Sequence, residues 1–137
     1  MIIMAPISVG ELYDKITILE VKSERFSDPV KISNVSRELE ELRRVASENV
    51  EAKEALGKAE LIRLVGELRA INSELWDIED GKRAAEARQS FDADFIRLAR
   101  NVYLKNDQRA AIKRAINILT GSTIVEEKGH IQANAKV

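Results

Sequence analysis

The chain has 137 residues, 45% of them hydrophobic and 33% charged, and its 22 basic and 23 acidic side chains leave a net charge of −1. A chain of this length is expected to be one domain with a buried core, and its balanced charge gives no overall attraction to nucleic acid or anionic lipid. It has no cysteine, which excludes disulfides, thiolate nucleophiles and cysteine-based metal sites. The only histidine is His130, in a polar tail.

The amino-terminal segment, residues 1–7, is predicted to be an extended lead-in, because Pro6 disfavours helix before it. Ser8 followed three residues later by Glu11 is a capping-box signature. Apolar residues at steps of three and four then predict a first helix over residues 9–26. The segment has neither the basic region nor the long apolar run of a signal peptide or membrane anchor, so we expect a cytoplasmic protein and no membrane contact.

The middle of the chain is predicted to hold two further helices. The second covers residues 31–47, a connection follows, and residues 51–58 are rich in Ala and Glu and could be helical. The longest apolar stripe predicts a third helix over residues 58–88, with Gly81 as a point where it could bend or end.

The last third is predicted to form helices over residues 91–104 and 107–120, with Phe91 facing inward. Asn106 and Asp107 could cap the later helix, or the two helices could be one; the pattern leaves both open. Residues 122–137 are expected to be an arm or tail. The predicted fold is a single all-α domain, an antiparallel bundle of four or five helices over residues 8–121.

The stretch over residues 74–83 holds the only tryptophan and four carboxylates within seven residues. Projected on a helix, Asn72, Trp76, Glu79 and Arg83 share one stripe beside the apolar one. Two interpretations stay open: Trp76 lies at the core edge within a surface charge network, or it forms a cleft wall that stacks a ligand.

Residues 95–120 differ in charge, with six basic residues against one acid. This segregated charge could neutralise the acidic stretch inside the bundle, or it could bind an anion. Tyr103 is the only aromatic side chain of this segment that is predicted to be exposed, so a nucleic-acid surface is not expected.

Metal-dependent chemistry is a second hypothesis, because carboxylates on facing helices are suitable Mg²⁺ ligands. Glu38 and Glu41, with Glu74 and Asp77, give a spacing similar to that of the all-α nucleoside triphosphate pyrophosphohydrolases. The chain departs from that family at Arg37, where the family has a paired glutamate, and in a longer gap between the two elements.

Longer blocks resemble a small uncharacterised family of bacteria and their phages, a domain of unknown function. The blocks are ISVGELYDKITILE (7–20), LWxIED (75–80), FIxLARxVY (95–103), NDxRAxIKRxIN (106–117) and EEK (126–128). The resemblance covers about residues 7–128 and implies no known activity. The chain departs from it at Gly81 and Lys82, where less helix-breaking residues are expected, and in an apparent extension over residues 1–3.

The first hypothesis is therefore a non-enzymatic module that recognises an anionic small molecule or a partner protein, without a cofactor and with a homodimer left open. Its candidate binding residues are Tyr13, Asp14, Lys15, Trp76, Glu79, Asp80, Arg83, Arg100, Tyr103, Asn106, Asp107, Arg109, Lys113, Arg114 and Asn117.

Under the alternative, a Mg²⁺-dependent nucleotide pyrophosphohydrolase, the candidate metal ligands are Glu11, Asp14, Glu74, Asp77, Glu79 and Asp80. The two hypotheses differ in what these carboxylates meet. Convergence in an open cleft favours the enzyme, whereas bonding to the basic residues near the carboxyl terminus excludes it.

Overall fold

A computed structural model describes residues 1–53 and 57–131. Its described residues form four α-helices and no strand, which confirms the predicted all-α bundle. The helices are Val9–Arg25 (α1), Pro29–Ala46 (α2), Lys58–Arg88 (α3) and Ala93–Thr120 (α4), with a π-helical turn at Ser47–Glu51.

Helix α1 begins where the sequence predicts. Ser8 Oγ accepts a hydrogen bond from Glu11 N at 3.0 Å, which satisfies one of the free amides of the first turn. The Glu11 side chain does not complete the capping box, because its carboxylate instead accepts a bond from Lys113 Nζ at 2.6 Å.

Helix α2 begins two residues before its predicted start. Asp28 is its N-cap, with Oδ1 accepting from Val30 N at 2.9 Å. Pro29 occupies the first helical position, where the missing N–H costs nothing. The π-helical turn then places Val50 in the core. Of the residues 51–58 that could be helical, 54–56 lie outside the described residues. Glu51 ends the π-helical turn, Ala52, Lys53 and Gly57 are not helical, and Lys58 begins α3.

Helix α3 has the predicted bounds and continues through Gly81. A Cβ at that position would lie 3.1 Å from Leu98 Cδ1 of α4. The glycine therefore lies where α3 and α4 approach each other closely, and it neither bends nor ends the helix.

Helix α4 is one continuous helix, which decides the question that the pattern left open. Asp92 caps it, with Oδ1 accepting from Asp94 N at 3.1 Å and from Phe95 N at 3.2 Å. The inward prediction for Phe91 is wrong, because this residue lies in the turn before the helix and is 50% exposed.

Helix α1 lies at the centre of the bundle. It runs antiparallel to α4, with Asp14 bonded to Arg109, and its last residue, Arg25, pairs with Asp77 of α3. The buried core draws on all four helices and includes Leu12, Ile16, Leu19, Leu39, Leu64, Leu68 and Ile116. Burying each of these aliphatic side chains contributes roughly 1.5–3 kcal/mol.

After α4 the chain turns at Gly121, whose φ of 66° is in the left-handed region that favours glycine. The following arm, residues 122–128, lies against α4 and the start of α1. Glu126 accepts hydrogen bonds from Ser8 Oγ and from Asn117 Nδ2. The final part of the predicted tail, residues 132–137, lies outside the described residues.

Candidate functional site

A buried polar junction joins α1, α3 and α4. Its centre is Asp14, which is 1% exposed. The carboxylate accepts hydrogen bonds at Oδ1 from Asn72 Nδ2 (3.0 Å) and Arg109 Nε (2.8 Å), and at Oδ2 from Arg109 Nη2. Thr17 Oγ1 also accepts from Asn72 Nδ2, at 3.0 Å. One side chain of α1 thus holds partners on α3 and on α4.

The partners of Asp14 decide its charge state. Burial raises the pKa of this carboxyl, but the hydrogen bonds from Arg109 and Asn72 and the charges of Arg109 and Lys113 outweigh it and leave the pKa below its ordinary value. Asp14 is therefore an ionised carboxylate with its acceptors occupied, and its position suits it to hold the helices together.

A second set of polar contacts joins α1 to α4 nearer the start of α1. Gly10 N donates to Asn117 Oδ1 at 2.6 Å, and Asn117 is 1% exposed. A Cβ on Gly10 would lie 2.5 Å from the Lys113 carbonyl oxygen and 2.9 Å from Asn117 Oδ1. Only glycine allows this approach of the two helices without displacing backbone.

The six carboxylates of the metal hypothesis do not converge. Glu11 pairs with Lys113 at 2.6 Å, Glu74 with Lys105 at 2.7 Å, Glu79 with Lys82 at 3.2 Å, Asp14 with Arg109 and Asp77 with Arg25. Within residues 1–53 and 57–131 no three His, Asp or Glu side chains are grouped so as to hold a metal ion.

The two glutamates of α2 in the pyrophosphohydrolase-like spacing also do not form a metal site with α3. Glu41 pairs with Arg44 of its own helix, and Glu38 is exposed. The predicted convergence of carboxylates from facing helices is therefore wrong. The carboxylates that form ion pairs do so within their own helix (Glu41, Glu79), with α4 (Glu11, Asp14, Glu74) or with Arg25 of α1 (Asp77). Within the described residues, Arg109 and Lys113 of the basic run pair with α1, and Lys105 is the one that reaches the acidic stretch over residues 74–80.

A cleft with a volume of about 370 Å³ opens beside the polar junction, between α1, α3 and α4. We call it the Trp76 cleft. Its lining residues are Ile18, Val21, Asn72, Leu75, Trp76, Glu79, Asp80, Arg83 and Arg109. It includes the whole stripe that the helical projection places on one face of α3.

Trp76 is half-buried in this cleft, and its ring packs against another aromatic ring. The Phe26 ring lies against it edge-on, with 5.7 Å between centroids and an interplanar angle of 63°. Such an edge contact is a favoured packing of two aromatic rings, and it supports the indole at the cleft.

The charges of the cleft are mixed. Within the described part of the chain, Arg83 and Asp80 form no ion pair, although Asp80 contributes to the field at Arg25. Arg109 bonds to Asp14 through Nε and Nη2, and Nη1 lies 3.4 Å from Asn106 Oδ1. A guanidinium has five N–H donors, so Arg109 keeps donors for a ligand.

The other predicted binding residues lie elsewhere. Tyr13 lines a separate cavity of about 460 Å³ and donates to Glu51 Oε1 at 3.1 Å. Burial and the charge of Glu51 raise its pKa well above the usual range. Lys15 is exposed, 3.9 Å from Glu11.

On α4, two of the remaining residues pair with the arm, Arg114 with Glu127 at 3.1 Å and Asp107 with Lys128. Arg100 and Tyr103 are exposed and do not line the Trp76 cleft.

Sequence reasoning missed several polar residues of the site. Asn72 lies on the same stripe of α3 as Trp76, and this position was the signal that could have added it to the candidate binding residues. Thr17 bonds within its own helix and to Asn72, while Glu126 reaches Ser8 across the fold. No local pattern signals the contact of Glu126, because it depends on how the arm folds back.

A family model matches residues 3–135 of the chain, nearly its whole length. The chain belongs to the family of unknown function DUF6165. Neither the comparison with curated proteins nor that with solved structures found a match. Membership of DUF6165 therefore supplies the family and leaves the function to be argued from the site.

No helix among the described residues of this DUF6165 chain is long and apolar enough to cross a membrane.

Proposed function

We propose that this DUF6165 chain is a non-enzymatic binding module that takes a small anionic molecule into the Trp76 cleft. The observation that carries the proposal is the convergence of Trp76, Arg83 and Arg109 on one cleft with an apolar floor. Its volume, about 370 Å³, lies in the range of small-molecule sites, roughly 300–1,000 Å³, which favours a small molecule over a protein partner.

Each part of the cleft suits one part of the ligand. The guanidinium of Arg83, with the remaining N–H groups of Arg109, suits a carboxylate or phosphate, since arginine binds such groups in a bidentate way. The indole of Trp76 suits a planar ring. Asp80 suits a ligand N–H or hydroxyl donor, so the expected ligand is a planar anion that also carries a donor.

Binding rather than catalysis is supported by what the carboxylates do. Five of the six candidate carboxylates, Glu11, Asp14, Glu74, Asp77 and Glu79, each have a cationic partner. Among the described residues only the sixth, the exposed Asp80, lines the cleft without an ion pair, and a single carboxylate does not make a Mg²⁺ site. A general base must reach a substrate proton with a free acceptor, and a Mg²⁺ site needs several convergent oxygens.

Titration calorimetry tests the proposal with inorganic phosphate, benzoate and a nucleoside monophosphate as probes, each with and without Mg²⁺. We expect the probes with a ring to bind more tightly than phosphate, independently of Mg²⁺. Arg83→Gln should weaken binding about tenfold or more, the value of one charge-assisted hydrogen bond.

Arg88→Gln is the matched control, because Arg88 is an exposed arginine of the same helix that does not line the cleft. Equal affinities for the Arg83→Gln and Arg88→Gln variants, or binding that requires Mg²⁺, would contradict the proposal.

A further inference from the structure

The outer face of α4 carries apolar side chains at its amino-terminal end that the bundle does not cover. Ile96 is 56% exposed and Tyr103 is 48% exposed. Helix α1 ends at Arg25, level with Asp77 of α3, so the end of the α3–α4 hairpin extends past it. Two helices alone can bury only their facing sides, and the outward apolar residues remain in contact with water.

The charges beside Ile96 form a self-complementary pattern. Arg100 lies four residues after Ile96 on the same face of α4, and the N-cap Asp92 lies four residues before Ile96, at the start of the helix; all three side chains are exposed. With 3.6 residues per turn, residues four apart lie one above the other about 6 Å apart. The face reads, along the helix, as a negative charge, an apolar side chain and a positive charge. We call Asp92, Ile96, Arg100 and Tyr103 the Ile96 patch.

We propose that the Ile96 patch is a homodimer interface, with a second copy of this chain as its occupant. When two copies of α4 are related by a two-fold axis at Ile96, the two helices run antiparallel. A residue that follows Ile96 by a given number of positions then meets the residue that precedes Ile96 by the same number in the other copy. Ile96 then packs on Ile96 of the other copy, and each Arg100 meets the other copy's Asp92. The pairing forms two ion pairs around an apolar centre and is satisfied only by an identical surface.

The existing contacts of Asp92 and Arg100 leave both side chains available for this pairing. Asp92 uses Oδ1 for the helix cap, whereas its Oδ2 has only a 3.4 Å contact with Ser90 Oγ. Among the described residues Arg100 has no ion-pair partner within 4 Å. The arm pairs with Asp107 and Arg114 further along α4, and the Trp76 cleft is lined by other residues, so the interface and the cleft are separate surfaces.

Single-cysteine cross-linking tests the two-fold position directly, because the chain has no cysteine of its own. Ile96→Cys would place two thiols at the axis, within the short Cβ separation that a disulfide requires. Ile118→Cys is the matched control, an exposed isoleucine of the same helix that would lie about 33 Å from the axis. Under mild oxidation we expect the Ile96→Cys variant to form covalent dimer at least about tenfold faster, on the scale where tenfold is 1.4 kcal/mol. Equal rates overturn the proposal.

Sedimentation equilibrium tests the charge pairing. The wild-type chain should be dimeric, and Arg100→Asp, which sets like charges against each other, should weaken the dimer about tenfold or more. Asp92→Asn keeps a good helix cap and should weaken it less. Arg97→Asp is the control, since Arg97 pairs with Asp94 of its own helix. A wild-type chain that stays monomeric at every soluble concentration, or equal effects of Arg97→Asp and Arg100→Asp, overturns the proposal.

Discussion

The Asp14 carboxylate connects three helices, because its partners lie on two helices other than its own. Arg109 comes from α4 and Asn72 from α3. Because the group is almost fully buried, removing its charge leaves the Arg109 guanidinium half-buried without its partner. Such unpaired charges cost far more than exposed pairs.

We therefore expect Asp14→Asn to lower the free energy of unfolding by about 3 kcal/mol, the lower end of values for breaking a buried pair. Denaturant unfolding followed by circular dichroism measures it. Asp77→Asn removes an exposed partner of Arg25 and should cost about 1 kcal/mol or less. Equal losses in the two variants would show that Asp14 is not a special position.

The charge of Asp14 also predicts a pH dependence. Its folded pKa lies below the ordinary value, so its ionised form stabilises the fold above the unfolded pKa, about 4. That stabilisation is lost as the pH falls through the folded pKa. The stability difference between wild type and Asp14→Asn should be constant near neutrality and shrink below about pH 4. A difference that grows in acid would contradict the assignment.

At the scale of the helices, two glycines in close contacts are expected to respond in opposite ways to alanine. At Gly10 a Cβ would meet the Lys113 backbone oxygen at 2.5 Å, whereas at Gly81 it would meet the end of the Leu98 side chain at 3.1 Å. A side-chain end can shift by a few tenths of an ångström, but a helix backbone cannot do so without moving the helix.

Gly10→Ala should therefore destabilise the fold by about 2 kcal/mol or more, as overpacking does. Gly81→Ala should be neutral or slightly stabilising, because alanine is favoured over glycine inside a helix by about 0.8–1 kcal/mol. Thermal unfolding of both variants decides this. A larger loss of stability in Gly81→Ala than in Gly10→Ala would contradict this prediction and would mean that the Leu98 side chain cannot shift to make room for the Cβ.

Local rules predicted α1 and α3 from the sequence, but the start of α2 was missed although Asp28 and Pro29 are local signals for it. Ser8 caps α1 by its hydroxyl, and the long apolar stripe gave both ends of α3. The other error arose where contacts between helices decide. Phe91 lies in a turn where it is only partly covered. The pattern left open whether Asn106 and Asp107 cap a separate helix, and they lie inside α4.

The site was predictable to the same degree. Periodicity placed Trp76, Glu79 and Arg83 on one stripe with Asn72, and these residues do line one cleft. Periodicity could not predict that Arg109 meets Asp14 or that Lys113 meets Glu11, because these pairs join residues far apart in the sequence. These two pairs form the buried network, and the open Trp76 cleft lies beside it.

At the scale of the whole molecule, we propose that ligands enter the Trp76 cleft while the buried network holds the bundle together. The chain carries its own reporter for this claim, since Trp76 is its only tryptophan and lines the cleft. Its emission reports on that one place in the fold.

The most direct measurement is therefore a fluorescence titration of Trp76 with benzoate and a nucleoside monophosphate, in the wild type and in Arg83→Gln. We predict a saturable change in Trp76 emission for the wild type and a midpoint about tenfold higher for the variant. Unchanged emission at concentrations where calorimetry detects binding would place the ligand outside the cleft and contradict the account.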